Sequence, residues 1–259
     1  MHSIGGWLAL PAIMILGPRL GRYNKNKSVP IPVSNIPVLG LGSWILAVGW
    51  FGFNVMSAQN FSNISSLVAI NSLFAMVGGI LSALVLSKND PTAIYNGALA
   101  GLIAVCSGSD LFHPLCALVV GGIGSLIFIK VFHFETEILK IDDVLGVWPL
   151  HGVVGSWGGI AAGIFGSSFF GGTGGVSFVS QFAGTLSAIL FAGISGFIVY
   201  KVLDKTLGIR ISKEEELIGC DVSIHNTSAY PEEQSIELDS RKELEYIDYN
   251  LSELNKKIV

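Results

Sequence analysis

Residues 144–200 read VLGVWPLHGVVGSWGGIAAGIFGSSFFGGTGGVSFVSQFAGTLSAILFAGISGFIVY, a stretch without Asp, Glu, Lys or Arg and with a single histidine, His151. About 20 apolar residues in a helix cross the ~30 Å hydrocarbon layer of a bilayer, so this stretch holds two crossings, divided by the glycine-rich run at 166–175. An imidazole placed early in the first of them is costly to bury unless something uses it. Two readings stand: a packing histidine satisfied by neighbouring helices, or a group on a pathway. A second histidine, His2, begins another apolar run and adds weight to the pathway.

Composition extends this reading to the whole chain. Hydrophobic residues make up 51% of it, charged residues only 13%, and there are 32 glycines. A soluble domain carries roughly 25% charged residues. The apolar runs are continuous rather than alternating, which favours helices over a barrel. The fold class is therefore all-α and polytopic, with about seven transmembrane helices at 3–16, 38–58, 65–86, 93–106, 115–131, 144–165 and 176–202. The first and fourth are short for a full crossing. Residues 1–202 form the transmembrane domain and 203–259 an acidic tail.

Basic residues cluster in alternate connections: Arg19, Arg22, Lys25 and Lys27, then Lys88, then Lys130 and Lys140, then Lys201 and the tail. The connections at 60–64, 107–114 and 166–175 contain no Lys or Arg. The positive-inside rule places the basic set and the C-terminus in the cytoplasm. Cys106, Cys116 and Cys220 have neither metal-ligand spacing nor a disulfide framework, and the two in or near the membrane read as small apolar filler. His113, before Pro114, reads as an outer-loop histidine and His133 as an interfacial one. No metal, no cofactor and no nucleic-acid partner is expected. No nucleophile, base and oxyanion set accompanies the histidines, so an enzyme is not expected either.

Five segments carry a resemblance to one family. Residues 2–22 (HSIGGWLALPAIMILGPRLGR) resemble the fifth helix and following loop of the ammonium transporter family (Amt/Mep/Rh), and 44–58 (WILAVGWFGFNVMSA) its sixth helix. Residues 96–105 (NGALAGLIAV) resemble its eighth, 142–163 (DDVLGVWPLHGVVGSWGGIAAG) its tenth, and 219–230 (GCDVSIHNTSAY) the tail motif after its eleventh. The resemblance implies an eleven-helix fold of two five-helix inverted repeats and a final helix. This chain would be its C-terminal part from the fifth helix onward, N-terminally incomplete, with Met1 an internal methionine of a longer protein.

What the resemblance implies is ammonium or ammonia transport through a hydrophobic pore lined by a twin-histidine pair, His2 and His151. Neutral imidazoles donate and accept, so such a pair passes a proton or guides ammonia while excluding hydrated cations. Trp50, Phe53 and Ser57 match the outer gate and ammonium-recruitment positions. Their spacing of three and four residues puts them on one helix face, where the plain alternative is core or lipid-facing aromatics. Asp143, eight residues before His151 and so about two helical turns away, supports the inner vestibule; a helix N-terminus would also account for it. The family often has Asp where this chain has Gly146, and Val in place of Pro149-Leu150.

Gly155, Gly159 and Gly163 form a small-residue ridge, repeated at Gly97 and Gly101, which lets helix backbones approach closely. From Asp204 onward the tail has thirteen acidic against seven basic residues and reads as solvated and partly disordered. Within it Gly219, Asp221, His225, Ala229 and Tyr230 match the family's docking motif. Asn226 stands where glycine is usual, which bears on the turn there. Residues 240–258 carry a thin amphipathic pattern. The partners implied are ammonium or ammonia, the lipid bilayer, two further copies in a homotrimer, and a PII-family regulator. The location implied is the plasma membrane (bacterial or archaeal inner membrane). The alternatives are a non-conducting truncated subunit that only assembles with full-length partners, and an ammonium sensor.

Overall fold

The computed structural model describes residues 1–25, 27–58, 64–229 and 231. It divides into two units, Met1–Ile209 and Arg210–Val259. The first unit runs α1 (His2–Leu16), a short antiparallel pair β1 (Tyr23–Asn24) and β2 (Lys27–Ser28), α2 (Ile36–Ser57), α3 (Ser65–Leu86), α4 (Pro91–Val105), α5 (Pro114–His133), α6 (Val154–Phe165) and α7 (Phe178–Thr206). Wider π winding extends α5 at Phe134–Ile138 and precedes α6 at Trp148–Val153. The chain is an all-α polytopic membrane protein. Among the described residues four helices are long and apolar enough to cross a bilayer: Ile36–Ser57, Ser65–Leu86, Pro114–Ile138 and Phe178–Thr206. The apolar helices His2–Leu16 and Pro91–Val105 are 15 residues each, about 22 Å at 1.5 Å per residue.

Local chemistry starts and stops these helices. Proline near the first turn costs no hydrogen bond, since the first N–H groups have no intrahelical partner, and α2, α4 and α5 all use it. The side chains of Asn35, Asp90, His113 and Ser177 cap the freed N–H groups of α2, α4, α5 and α7. Thus His113, expected in an outer loop, is a helix cap whose Nδ1 accepts from Leu115 N at 3.2 Å. At the end of α1, Gly17 takes φ 74°, a conformation that glycine adopts without strain, and Pro18 follows.

The core lies where α3 packs on α5 and α4, knit by glycines. A Cβ added to Gly79 would overlap the Gly97 carbonyl, and one added to Gly101 or Gly121 would overlap the Ala75 carbonyl. Side chains with almost no exposure fill the remainder, among them Val68, Leu102, Ile103, Val120 and Val154. Asn71, also fully buried, donates from Nδ2 to the Ser109 and Phe112 carbonyls, each at 2.8 Å, and so ties α3 to the connection before α5. By contrast α2 and α7 leave long apolar side chains exposed, such as Ile45, Val48, Phe191 and Ile194. Such faces suit hydrocarbon or further helices, not water.

One expected span is corrected. The sequence suggests a helix from 144, but winding begins only at Trp148. Gly146 takes φ +67°, and a Cβ there would press on Phe128 and Phe132. Glycine fits this left-handed turn at no cost, and Asp is among the few residues that tolerate it.

In the second unit α8 (Lys213–Ile218) begins with a reciprocal capping box between Ser212 and Glu215. Gly219, with φ 97°, separates it from α9 (Cys220–Ser223). The 240–258 pattern lies outside the described residues.

Candidate functional site

Three elements bring the site together. His2 opens α1, His151 sits in the π segment Trp148–Val153, and Trp50 and Phe53 lie on one face of α2. The two imidazoles, 149 residues apart in sequence, meet with Nδ1 to Nδ1 at 3.2 Å. Their rings lie nearly parallel, 5.3 Å between centroids and 20° between planes. A contact between two ring nitrogens holds one proton, so at least one ring in the pair is neutral. Glycine makes the approach possible. A Cβ on Gly6 would overlap the Gly152 backbone, and one on Gly155 would press on Ser3 N and the His2 Cβ.

Aromatic rings wall the other side of His2. Trp50 stacks on it at 5.0 Å and 12°, and Phe53 meets it edge-on at 5.8 Å and 68°. Trp50 is buried beside the histidine. Phe53 and Ser57 line a cavity of about 300 Å³ that also reaches His2, Cys106, Gly155 and Gly159. Among the described residues the buried Nε2 atom of His2 has no hydrogen-bond partner.

Asp143 lies just before the helix, as the helix N-terminus reading has it, and its Oδ2 accepts from Trp148 N at 2.8 Å. That bond satisfies an N–H at the start of the π segment carrying His151, a capping role for a carboxylate. Its neighbour Asp142 is the more engaged residue. Arg19 grips it with Nε at 2.8 Å and Nη2 at 2.9 Å and adds its backbone N–H at 3.0 Å. Arg22 approaches at 3.4 Å. Burial alone would push the Asp142 carboxyl up, but the Arg19 hydrogen bonds and the charges of Arg19 and Arg22 hold it below the usual carboxylate range. This clasp fastens the connection after α1 to the connection before α6, at one end of the histidine seam. Beside it the Tyr23 hydroxyl shares its one proton between the Thr136 and Ile141 carbonyls, at 3.1 and 3.0 Å.

Cys106 corrects another expectation: it is not mere filler. Trp50 Nε1 donates to its Sγ at 3.2 Å, and the thiol reaches Asn54 Oδ1 at 3.2 Å. Asn54 Nδ2 in turn donates to Ser72 Oγ at 2.9 Å. This chain of bonds across α2, α4 and α3 holds the indole that faces His2. Asn54 was open to detection in the WFGFN context, whereas nothing around Cys106 in the sequence signals it. Glu135, equally unsignalled, is fully buried, and among the described residues neither of its carboxyl oxygens finds a hydrogen-bond partner.

The glycine ridge splits its duties, since Gly155 faces α1 while Gly159 and Gly163 face Thr185, Phe178 and Gln181 near or in α7. In the second unit Asp221 Oδ2 accepts from Ala229 N at 2.9 Å, and backbone hydrogen bonding, first that from Ala229, holds its carboxyl below the ordinary range. His225 is exposed beside Asn226, whose φ of 52° keeps the left-handed turn that glycine would favour. Tyr230 lies outside the described residues.

This arrangement comes with a match over nearly the whole transmembrane region and beyond. The profile of the Ammonium Transporter Family fits residues 1–230. The chain belongs to the ammonium transporter family. Ammonium transporter Amt2 of Methanocaldococcus jannaschii is 43% identical over 237 residues, which cover 91% of this chain and 56% of that protein. Amt1 of the same organism is 42% identical over 235 residues, 90% and 60% respectively. A solved structure described as a sensor Amt protein superposes with a TM-score of 0.79 at 30% identity, covering 86% of this chain and 57% of that one. The chain therefore spans a little over half the length of these family members.

Proposed function

We propose that this chain forms part of a membrane conduit for ammonium or ammonia, with His2 and His151 as the twin histidines of its pore. The single observation that carries the reading is the 3.2 Å contact between their Nδ1 atoms. Two neutral imidazoles joined in this way share one proton, so one ring presents an Nε2 lone pair and the other an Nε2–H. Ammonia both donates and accepts and is served by such a pair. A hydrated metal cation gains little from aromatic and imidazole walls in return for its water shell. In this reading ammonium is recruited at Trp50 and Ser57, where an aromatic face attracts a cation and a hydroxyl offers an acceptor. It loses a proton near Phe53, and ammonia passes the histidines, while Asp143 steadies the inner end.

In the same reading the basic connections and the C-terminus face the cytoplasm, the membrane is the plasma membrane, and copies assemble as a trimer. Residues 1–202 conduct. The tail from 203, through Gly219, Asp221, His225 and Tyr230, couples neighbouring subunits, and a PII-family regulator binds at the cytoplasmic face.

A second reading, ammonium sensing, is favoured by the likeness to the structure described as a sensor. It predicts ammonium binding without flux. A subunit that assembles but does not conduct is the third.

Methylammonium uptake by transporter-deficient cells tests the proposal. The chain is expressed alone and fused to the part of Methanocaldococcus jannaschii Amt2 that its match leaves uncovered, each with and without His2→Ala/His151→Ala. Histidine-dependent uptake in either form is the expected result. Uptake indifferent to both histidines, or uptake in neither form while both reach the membrane, would overturn it.

A further inference from the structure

Ser156 does not line the cavity beside His2, yet three groups converge on its hydroxyl. Its Oγ is 2.7 Å from the Gly152 carbonyl, to which it donates. Trp7 Nε1 donates to it at 3.0 Å, and Ser3 Oγ lies at 2.9 Å. A hydroxyl has one proton and two lone pairs. With the proton on Gly152, both lone pairs are filled by the Trp7 N–H and the Ser3 O–H, so Ser3 is the donor in that pair. The hub is saturated and buried.

Its partners are the backbone neighbours of the two imidazoles. Ser3 follows His2 on α1, Trp7 lies further along the same helix, and Gly152 follows His151 within the π segment. A π turn is an uncommon winding that needs specific support. Rewinding this one as ordinary α-helix would turn His151 about the axis relative to α6, carrying its ring away from its place against His2. Asp143 Oδ2 holds the segment at Trp148 N, and the Ser156 hub holds it at Gly152 O. The Trp7 and Trp148 rings meet edge-on at 5.6 Å and close the gap between these two fastenings.

We propose that Ser156, with Ser3 and Trp7, is a latch that keeps the π winding in place and so sets the contact between His2 and His151. These are positioning residues, acting on the rings only through backbone. The latch matters to flux only if the histidine pair works as proposed above, so its test reads the rings directly.

The chain, 15N-labelled at histidine and reconstituted in phosphatidylcholine vesicles, is examined by solid-state NMR for the coupling between the two Nδ1 atoms across their shared proton. The wild type shows it, Ser156→Ala loses it, and Ser156→Thr, which keeps the hydroxyl, retains it. Trp7→Phe removes one of the three bonds and weakens the coupling, and this variant decides the matter should Ser156→Ala fail to insert. A wild type without the coupling, or a Ser156→Ala or Trp7→Phe chain with wild-type coupling, overturns the latch. Methylammonium uptake by the fused form, measured in parallel, separates the two proposals. Coupling and uptake lost together support both. Coupling lost with uptake intact supports the latch and removes the histidine pair from transport.

Discussion

Two helix seams in this protein start from the same residue and end in different chemistry. In the seam among α3, α4 and α5, Gly79, Gly101 and Gly121 set backbone against backbone, and fully buried Ala, Val, Leu and Ile close the surroundings. In the seam between α1 and the π segment, Gly6 does the same against Gly152, but the flanking side chains are two imidazoles, two hydroxyls and two indoles. Close approach is common to both. What separates a structural seam from a chemical one is whether polar side chains stand beside the glycines, and whether each is satisfied. In the second seam Ser156 is saturated, whereas His2 Nε2 and Trp148 Nε1 are buried without partners among the described residues, and His2 lines the cavity.

The largest effect is expected in the structural seam. Gly121→Leu drives a side chain into the Ala75 backbone and should cost roughly 3 kcal/mol or more, read as loss of monodisperse protein in detergent. Normal yield would mean that the glycines of this seam are not its closing element. Gly6→Ala tests the other seam with a single methyl group. It should cost about 1–3 kcal/mol while the folded remainder loses histidine-dependent uptake. An unchanged Nδ1 coupling would show that the pair does not depend on this approach.

The ionic clasp at the end of the histidine seam ranks next. Asp142→Asn removes charge-assisted hydrogen bonds to Arg19 and should lower stability by about 2 kcal/mol at neutral pH. The Asp142 carboxyl is held below its ordinary value. Its contribution is therefore full above the unfolded pKa of about 3.9 and is lost as pH falls through the lower folded value. The gap between wild type and Asp142→Asn should close on acidification; a gap that persists in acid would assign the clasp to shape rather than charge.

A smaller effect of opposite sign is expected at Glu135. Replacing a buried carboxyl that lacks donors among the described residues with an apolar side chain of similar length should add about 1 kcal/mol of stability. A clear loss on Glu135→Met would expose a partner for it. The smallest effect is reserved for Gly159→Ala. The atoms nearest the new methyl belong to the Thr185 side chain, which can rotate away, so stability should move by under about 1 kcal/mol. A collapse here would extend the structural seam to α7.

Much of the fold was open to reading in the chain, because spans in a membrane protein are written as composition. The apolar run at 65–86 is α3 to the residue, and the other long helices begin and end within a few positions of their runs. The histidine pair was reached through family resemblance at residues 2–22 and 142–163, since no spacing rule connects residues 149 apart. The span reads as starting at 144 rather than at Trp148 because the turn at Gly146 leaves no periodic trace. Asp142 drew no notice, since its partners Arg19 and Arg22 lie more than a hundred residues away and were read only as topology markers. Ser156 and Cys106 escaped for a related reason: a lone hydroxyl or thiol in an apolar helix looks the same whether it bonds its own helix or a neighbour.

By itself, then, the sequence determined that this chain is a set of apolar helices, where they break, and which family they belong to, because hydrophobic length, glycine and proline act locally and leave their mark in order along the chain. Only the tertiary structure decided that His2 and His151 touch, that the helix beneath His151 is wound wide, and that Trp50, Cys106, Asn54 and Ser156 hold the surroundings in place. Hydrogen bonds between helices are set by distances of a few tenths of an ångström between residues far apart in the chain, and no one-dimensional pattern encodes those distances.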